Sequence, residues 1–264
     1  MRIATLNANG IRAAERKGLS AWLRASQIDI CCLQEVRATV DEVPPSLFTD
    51  GSISLFSAVK KGYSGVGIWT AASLLSATQV CAGSNESFFD SEGRVLRADF
   101  GPLTIVSAYF PSGAASEQRQ RAKLAFLEAF GQWISEIQKE RPLLMVAADF
   151  NMCHTSKDIH DPHRLWGTPG FSPEESAWLT AWQEAGWVDA FRSLHPSSHG
   201  EYTWWSARGR AKERNAGWRI DGFWLSPALA PSLQRCGHEP EAGLSDHCPV
   251  WIELDESKFV TFTA

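Results

Sequence analysis

The sequence predicts an α/β fold in which antiparallel-rich sheets are covered by helices. Three observations predict it. Period-two and helix-period segments alternate from one end of the 264 residues to the other, so strands and helices come mixed. Neighbouring strands are joined by short turns, above all at Gly101-Pro102, which indicates hairpins. Helical stretches that could serve as crossovers are few, which argues against a doubly wound parallel sheet.

Taken in order, Arg2 to Ala8 alternates like a strand and runs into the turn sequence Asn7-Ala8-Asn9-Gly10. Ala13 to Ala25 is expected as a helix with Leu19, Trp22 and Leu23 on one face. Ile28 to Leu33 reads as a buried strand ending at Gln34-Glu35, and Ile53 to Val59 and Gly65 to Trp69 as two more. Val95 to Phe100 and Leu103 to Tyr109 form the hairpin. Ser116 to Lys139 is the longest helix, its stripe made by Leu124, Leu127, Phe130, Trp133, Ile134 and Ile137. The strand Leu143 to Ala148 leads into Asp149. Pro173 to Ala185 is a helix with Ser172 and Glu175 as a capping box. Trp218 to Leu225 and Pro249 to Leu254 complete the strands. Residues 1–255 read as one domain, and 256–264 as an extension outside the core.

Composition excludes several classes. A hydrophobic fraction of 44% and a charged fraction of 21% are those of an ordinary globular protein. No apolar run has a membrane helix's length, and the first residues lack a secretory signal's pattern, so a cytoplasmic location is expected. The six cysteines show no metal or disulfide spacing and are expected as reduced thiols. A net charge of −5 argues against a broadly basic nucleic-acid coat. Arg208, Arg210, Lys212, Arg214 and Arg219 nevertheless crowd together, either as a solvated loop or as a phosphate-facing stretch. Trp204-Trp205 beside them could pack in the core or grip DNA.

The acids carry most of the functional information. Glu35, Asp149 and Asp246 each stand where an apolar strand meets a loop, and Asp221 interrupts a strand. Carboxylates gathered at strand ends repel one another unless a cation or protons neutralise them; scattered surface acids are the alternative. Asp149-Phe150-Asn151 would place an acid and an amide on one face, with Phe150 directed inward. Asp246-His247 sets an acid beside an imidazole, and Asp221 is the candidate to orient His247. Two other patterns are weak. Gly62 to Gly67 leads into a strand and does not open a helix, so it fails as a dinucleotide loop. Cys153, His154, His160 and His163 match no standard zinc spacing.

Nine segments occur together in one order: Asn7-Ala8-Asn9-Gly10-Ile11-Arg12, Leu33-Gln34-Glu35, Gly62 to Gly67, Glu92-Gly93-Arg94-Val95, Tyr109-Phe110-Pro111-Ser112-Gly113, Asp149-Phe150-Asn151, Tyr202-Thr203-Trp204-Trp205, Gly217-Trp218-Arg219-Ile220-Asp221 and Ser245-Asp246-His247-Cys248-Pro249. In this the chain resembles the exonuclease III/AP-endonuclease family of the endonuclease-exonuclease-phosphatase superfamily, from its start to about Leu254. The resemblance implies a four-layer α/β sandwich, with two mixed, mainly antiparallel sheets face to face and helices outside. It implies Mg²⁺, with Mn²⁺ as a substitute, held by Glu35 with Asn9 and Asp246. Asp149 resembles the residue that activates or positions water. Asn151, Tyr109 and His247, the last paired with Asp221, resemble phosphate contacts, and either His247 or Asp149 would take the proton. Asn7 would hydrogen-bond within the site. Trp204 and Trp218 resemble the apolar wall around a displaced sugar, and Arg94 a backbone-contacting arginine. Hard oxygen donors suit Mg²⁺ better than zinc.

The implied activity is hydrolysis of double-stranded DNA at abasic sites or 3′ ends by a monomer. Two alternatives stand beside it: a catalytically silent nucleic-acid-binding relative, and a superfamily member acting on inositol phosphates, sphingomyelin or undamaged DNA. Ala148 stands where the family usually has glycine. Leu165 and Thr168 stand roughly where related enzymes carry phosphate-binding asparagines, so His163, Arg164 and Trp166 could either compensate or redirect the enzyme towards 3′ ends.

Overall fold

The two parallel strand pairs at the centre of the molecule aim the ends of four strands at one place. The computed structural model describes residues 1–74, 77–84 and 87–262. One six-stranded sheet runs Leu233–His238, Val250–Leu254, Arg2–Asn7, Ile30–Gln34, Val66–Ala71, Gly51–Phe56. The other runs Gln79–Ala82, Val95–Phe100, Leu103–Tyr109, Leu144–Asp149, Asp221–Leu225, Val188–Asp189. Only Arg2–Asn7 with Ile30–Gln34 and Leu103–Tyr109 with Leu144–Asp149 pair in parallel; the other pairings in the two sheets are antiparallel.

Period-two alternation builds the layers. Ile3 of the first strand faces the inter-sheet core with Ile30, Ile105, Met145 and Phe223, while Ala4 and Leu6 face the helices Ile11–Arg16 and Leu19–Ala25. Val106, Val146 and Ala148 face the opposite way from Ile105 and Met145, against the helices Glu117–Glu140 and Pro173–Glu184. The result is the four-layer sandwich of two mixed sheets flanked by helices. Ala148 lies opposite Gly222 and Ala108, and its methyl group is fully buried among the helix-facing residues.

Several expectations need correction. The helix expected over Ala13 to Ala25 is two helices, because Gly18 adopts φ 98, which ends the first and leaves the second to start afresh. The strand expected over Trp218 to Leu225 is broken. Gly217–Trp218 pairs with Trp204–Trp205 in a separate ribbon, and Asp221–Leu225 joins the large sheet. The edge strands Gln79–Ala82, Leu233–His238 and Val188–Asp189 have mixed or short patterns and were not expected. The chain beyond Asp255 is not wholly outside the core, since Phe259 packs against the inter-sheet cluster; Thr263 and Ala264 lie outside the described residues.

His238, at the end of an edge strand, stacks on Phe191 with ring centroids 4.2 Å apart, and neither ring nitrogen has a hydrogen-bond partner. Burial, reinforced by the charges of Arg219, His195 and Arg192, pushes its pKa down to about 3. The unfolded chain therefore binds the extra proton first, and stability should fall as pH drops below about 6.5. At pH 5 the expected loss is about 2 kcal/mol. Urea unfolding at pH 7 and pH 5 should show this loss as the change in stability of the parent relative to His238→Leu, which cancels the other titrating groups; the same pH dependence in both proteins would contradict it.

Candidate active site

The site forms where the central strands end. Asn7 closes the first strand and is fully buried; its Nδ2 donates to Glu35 Oε1 at 2.9 Å and, across the two sheets, to Asp149 Oδ2 at 2.7 Å. Tyr109 and Asp221 flank Asp149 in register on its two neighbouring strands. Just past the strand ends, Asn9, Glu35 and Asn151 adopt φ of 45, 47 and 52. That left-handed conformation is uncommon outside glycine, mild for asparagine and costlier for glutamate. Three such residues at one place mark a backbone held by its surroundings.

Hydrogen bonds fix each acid differently. Glu35 accepts from Asn7, from the Tyr109 hydroxyl at 2.9 Å, and from Arg37. Burial opposes its ionisation, but these partners together hold its pKa below the usual carboxylate range. Asp149 accepts from the Asn151 backbone N–H at 2.8 Å and from Asn151 Nδ2 at 3.3 Å. Burial, with the Asp221 charge added, pushes its pKa up to about 7. Asp246 accepts from Asn9 Nδ2 at 2.8 Å and from Trp204 Nε1 at 3.1 Å; burial works against its ionisation, but the His247 charge and these hydrogen bonds together lower its pKa. Asp221 holds His247 Nδ1 at 2.9 Å. Burial disfavours the imidazolium, yet Asp221 overrides it and lifts the pKa of His247 to about 10.

Ligand atoms of Glu35, Asp149 and His247 all lie within 4.8 Å of one another, the one group of this kind among the described residues. Of the set expected from the sequence, Glu35 sits in this group, and Asn9 and Asp246 are joined to each other by a 2.8 Å hydrogen bond. Cys153, His154, His160 and His163 do not converge, and Cys153 is buried with its thiol on the Asp158 carbonyl.

Apolar residues wall the site. Trp204 and Trp218 pack with Ile220, Phe171 and Leu165, so the departure at Leu165 places an apolar side chain in that wall. Thr168 donates to the Leu165 carbonyl at 2.7 Å, while Trp166 remains 51% exposed, edge-on to Phe171. His163 and Arg164 are exposed nearby. Trp205 differs from Trp204: it is buried, with its Nε1 on Asn215.

Two arginines stand elsewhere than expected. Arg94 is 1% exposed, bonded to Glu92, Tyr63 and the Tyr109 carbonyl, with its guanidinium 4.8 Å from the Tyr109 ring centroid. It braces Tyr109 from behind, and its burial keeps it from a DNA backbone. Arg219 is buried between Asp158 and Asp189, with contacts at 2.8 and 2.7 Å, leaving Arg208, Arg210, Lys212 and Arg214 as the exposed basic stretch. Sequence reading missed Arg37, whose signal was its place two residues after Glu35. It also missed Thr203, whose hydroxyl donates to Asp221 at 2.6 Å and accepts from the Ile220 and Asp221 N–H groups.

Residues 4–247 match the Endonuclease/Exonuclease/phosphatase family. The chain is 34% identical over 259 residues to an exodeoxyribonuclease of Bacillus subtilis, covering 97% of this chain and all of that protein. It is 32% identical over 263 residues to the DNA repair nuclease APEX1 of Danio rerio, covering 96% of this chain and 82% of that one. Among solved structures, the 3′ phosphatase NExo from Neisseria bound to a product DNA hairpin superposes with a TM-score of 0.88 at 25% identity, over 97% of this chain and 99% of that one. A buried acid-imidazole cluster at the ends of two facing sheets, with this match, defines the class: the chain belongs to the endonuclease/exonuclease/phosphatase family. Its similarity within that family is to exodeoxyribonucleases and AP endonucleases, the branch that the sequence motifs resemble.

Proposed function

We propose that the chain is a DNA-repair phosphodiesterase of the exonuclease III type, hydrolysing double-stranded DNA at abasic sites, at 3′-terminal nucleotides or at 3′ blocking groups. The observation that carries this reading is the convergence of Glu35, Asp149 and His247 within 4.8 Å, beside Tyr109, Asn151 and Asp246. The names of the relatives and the DNA-bound neighbour support the substrate.

The residues fit a divalent cation. Asp149 is driven towards neutrality chiefly by burial and further by the Asp221 charge, and a cation beside it would offset both. The donors are hard oxygens, suited to Mg²⁺ or Mn²⁺. Glu35 would hold the ion, with Asn9 and Asp246 on its waters or second side. When bound, the ion would offset charge on the phosphoryl and leaving oxygens. Asp149, with a pKa near neutrality, is the group placed to accept a proton from the attacking water, and Asn151 fixes its orientation through two donated hydrogen bonds. His247, held as imidazolium by Asp221, presents its other nitrogen to a phosphoryl oxygen. Tyr109, kept protonated by burial and by Glu35, donates its phenol proton to Glu35 and would turn it to the phosphate. Asn7 ties Glu35 to Asp149, so the ion and the water share one frame. Trp204 and Trp218 would shelter a displaced sugar.

The chain acts as one catalytic domain in this reading, with Phe259 beyond Asp255 packed into its inter-sheet core, and the protein works as a cytoplasmic monomer. All six cysteines are free thiols, as a reducing compartment keeps them, and among the described residues no helix is long and apolar enough to cross a membrane. A silent DNA-binding relative would have lost acids from the site, and none is missing. Duplexes carrying an internal abasic site, a recessed 3′ end or a 3′-phosphate should be hydrolysed in at least one case with Mg²⁺. Binding to all of them with hydrolysis of none would select the silent relative.

A further inference from the structure

Beneath the candidate site lies an ion pair with no solvent exposure at either end. Lys123, on the helix Glu117–Glu140, meets Glu175, on the helix Pro173–Glu184, with Nζ and Oε1 2.6 Å apart. An ion pair this deep contributes little net stability compared with apolar residues of equal volume. Its other contacts point to what it holds. Lys123 Nζ also donates to the Asn151 carbonyl at 2.8 Å. The second oxygen of Glu175 accepts the backbone N–H groups of Gly170 at 2.8 Å and Ser172 at 2.9 Å.

Both attachment points belong to the site. Asn151 sits at φ 52, with its side-chain amide on the Phe110 carbonyl at 2.9 Å and on Asp149. Gly170 sits at φ 95, its carbonyl accepts the Cys153 N–H at 2.8 Å, and a Cβ there would lie 2.9 Å from the Trp218 ring. A shift of either charged side chain would therefore be felt on one side at the orientation of Asp149 and on the other at the tryptophan wall.

We propose that Lys123 and Glu175 are positioning residues for hydrolysis, setting Asn151, and through it Asp149, against the wall made by Trp218 and Phe171. The inference rests on the phosphodiesterase reading above. It predicts that the pair acts on the rate of the chemical step more than on substrate capture, because neither side chain reaches the surface.

The test uses the full chain with Mg²⁺ and whichever DNA duplex the parent hydrolyses best; activity of the parent keeps the reading itself separate from the inference. Lys123→Met/Glu175→Gln removes both charges at nearly constant volume and retains an acceptor for the Gly170 and Ser172 N–H groups. It should fold with an unchanged circular dichroism spectrum, lose between about tenfold and a hundredfold in kcat, and keep KM within about threefold. Glu175→Asp keeps the pair charged but shortens its reach, and should show a smaller loss of the same kind. A folded double variant with parental kcat would overturn the proposal. So would a loss confined to KM or, should the double variant not fold, a folded Glu175→Asp with parental kcat.

Discussion

Asp149→Asn is expected to lower kcat by roughly a thousandfold while leaving the fold and DNA affinity nearly unchanged. The substitution keeps the shape of the side chain and removes the only feature the mechanism needs, a carboxylate that can take a proton. It also removes a charge that burial and Asp221 disfavour, but turns one accepting oxygen into an NH2 group facing the Asn7 or Asn151 donors, so stability should fall modestly. Less negative charge in the pocket should, if anything, favour a polyanionic substrate. The pH dependence follows from the same group. Asp149 must be unprotonated to act, so kcat should rise with pH through the region near 7, and a bound cation would move that limb lower. Single-turnover hydrolysis with a parallel binding titration separates the two quantities; a near-parental rate would remove Asp149 from the chemistry.

Arg219→Met should be the most damaging single change to stability away from the chemistry. Asp158 has no solvent exposure and accepts from Arg219 Nε at 2.8 Å and Arg192 at 2.6 Å; Asp189 pairs with the other end of Arg219. Burial opposes ionisation of Asp158, and the Arg219 charge, with Arg192, overrides it and holds the carboxyl well below the usual range. Without Arg219, two acids in the interior lose their shared cation, a loss of about 3–5 kcal/mol. The parent network has its own pH signature: its contribution is present above the usual carboxylate pKa and is lost as pH falls through the depressed value. Urea unfolding reads the stability. Salt dependence of DNA affinity, measured on the folded fraction, should not change, because Arg219 does not reach a phosphate; a flattened salt slope with normal stability would return Arg219 to the surface role.

Arg219 also shows what the sequence could and could not disclose. Counted along the chain it belongs to a basic stretch, but the strand breaks after Trp218, and only the tertiary pairing with Asp158 and Asp189 turns it inward. Arg94 misleads for a similar reason. Glu92 and Tyr63, which make its burial tolerable, come from separate turns. Glu35 and Asp149 were legible because each stands where an apolar strand stops, which a period-two pattern fixes, whereas Asp221 opens the strand Asp221–Leu225 and does not interrupt one. Asp246 and His247 share the site because they precede the strand Val250–Leu254, where alternation does not yet apply. The buried Lys123–Glu175 pair left a trace that was overlooked: Lys123 falls in step with the stripe Leu127, Phe130, Ile134 and Ile137. A charge on an apolar stripe asks for a buried partner, which spacing alone cannot supply. The helix break at Gly18 was visible as a glycine inside a helical pattern; its positive φ was not.

The most direct measurement is hydrolysis of one duplex carrying both an internal abasic site and a 3′-phosphate by metal-stripped protein, titrated with Mg²⁺, for the parent and Glu35→Gln. No hydrolysis in EDTA, saturable recovery with Mg²⁺, and a curve displaced to about tenfold or more higher Mg²⁺ in Glu35→Gln are the predicted results. Full activity in EDTA, or superimposable curves for the two proteins, would contradict a cation held by Glu35.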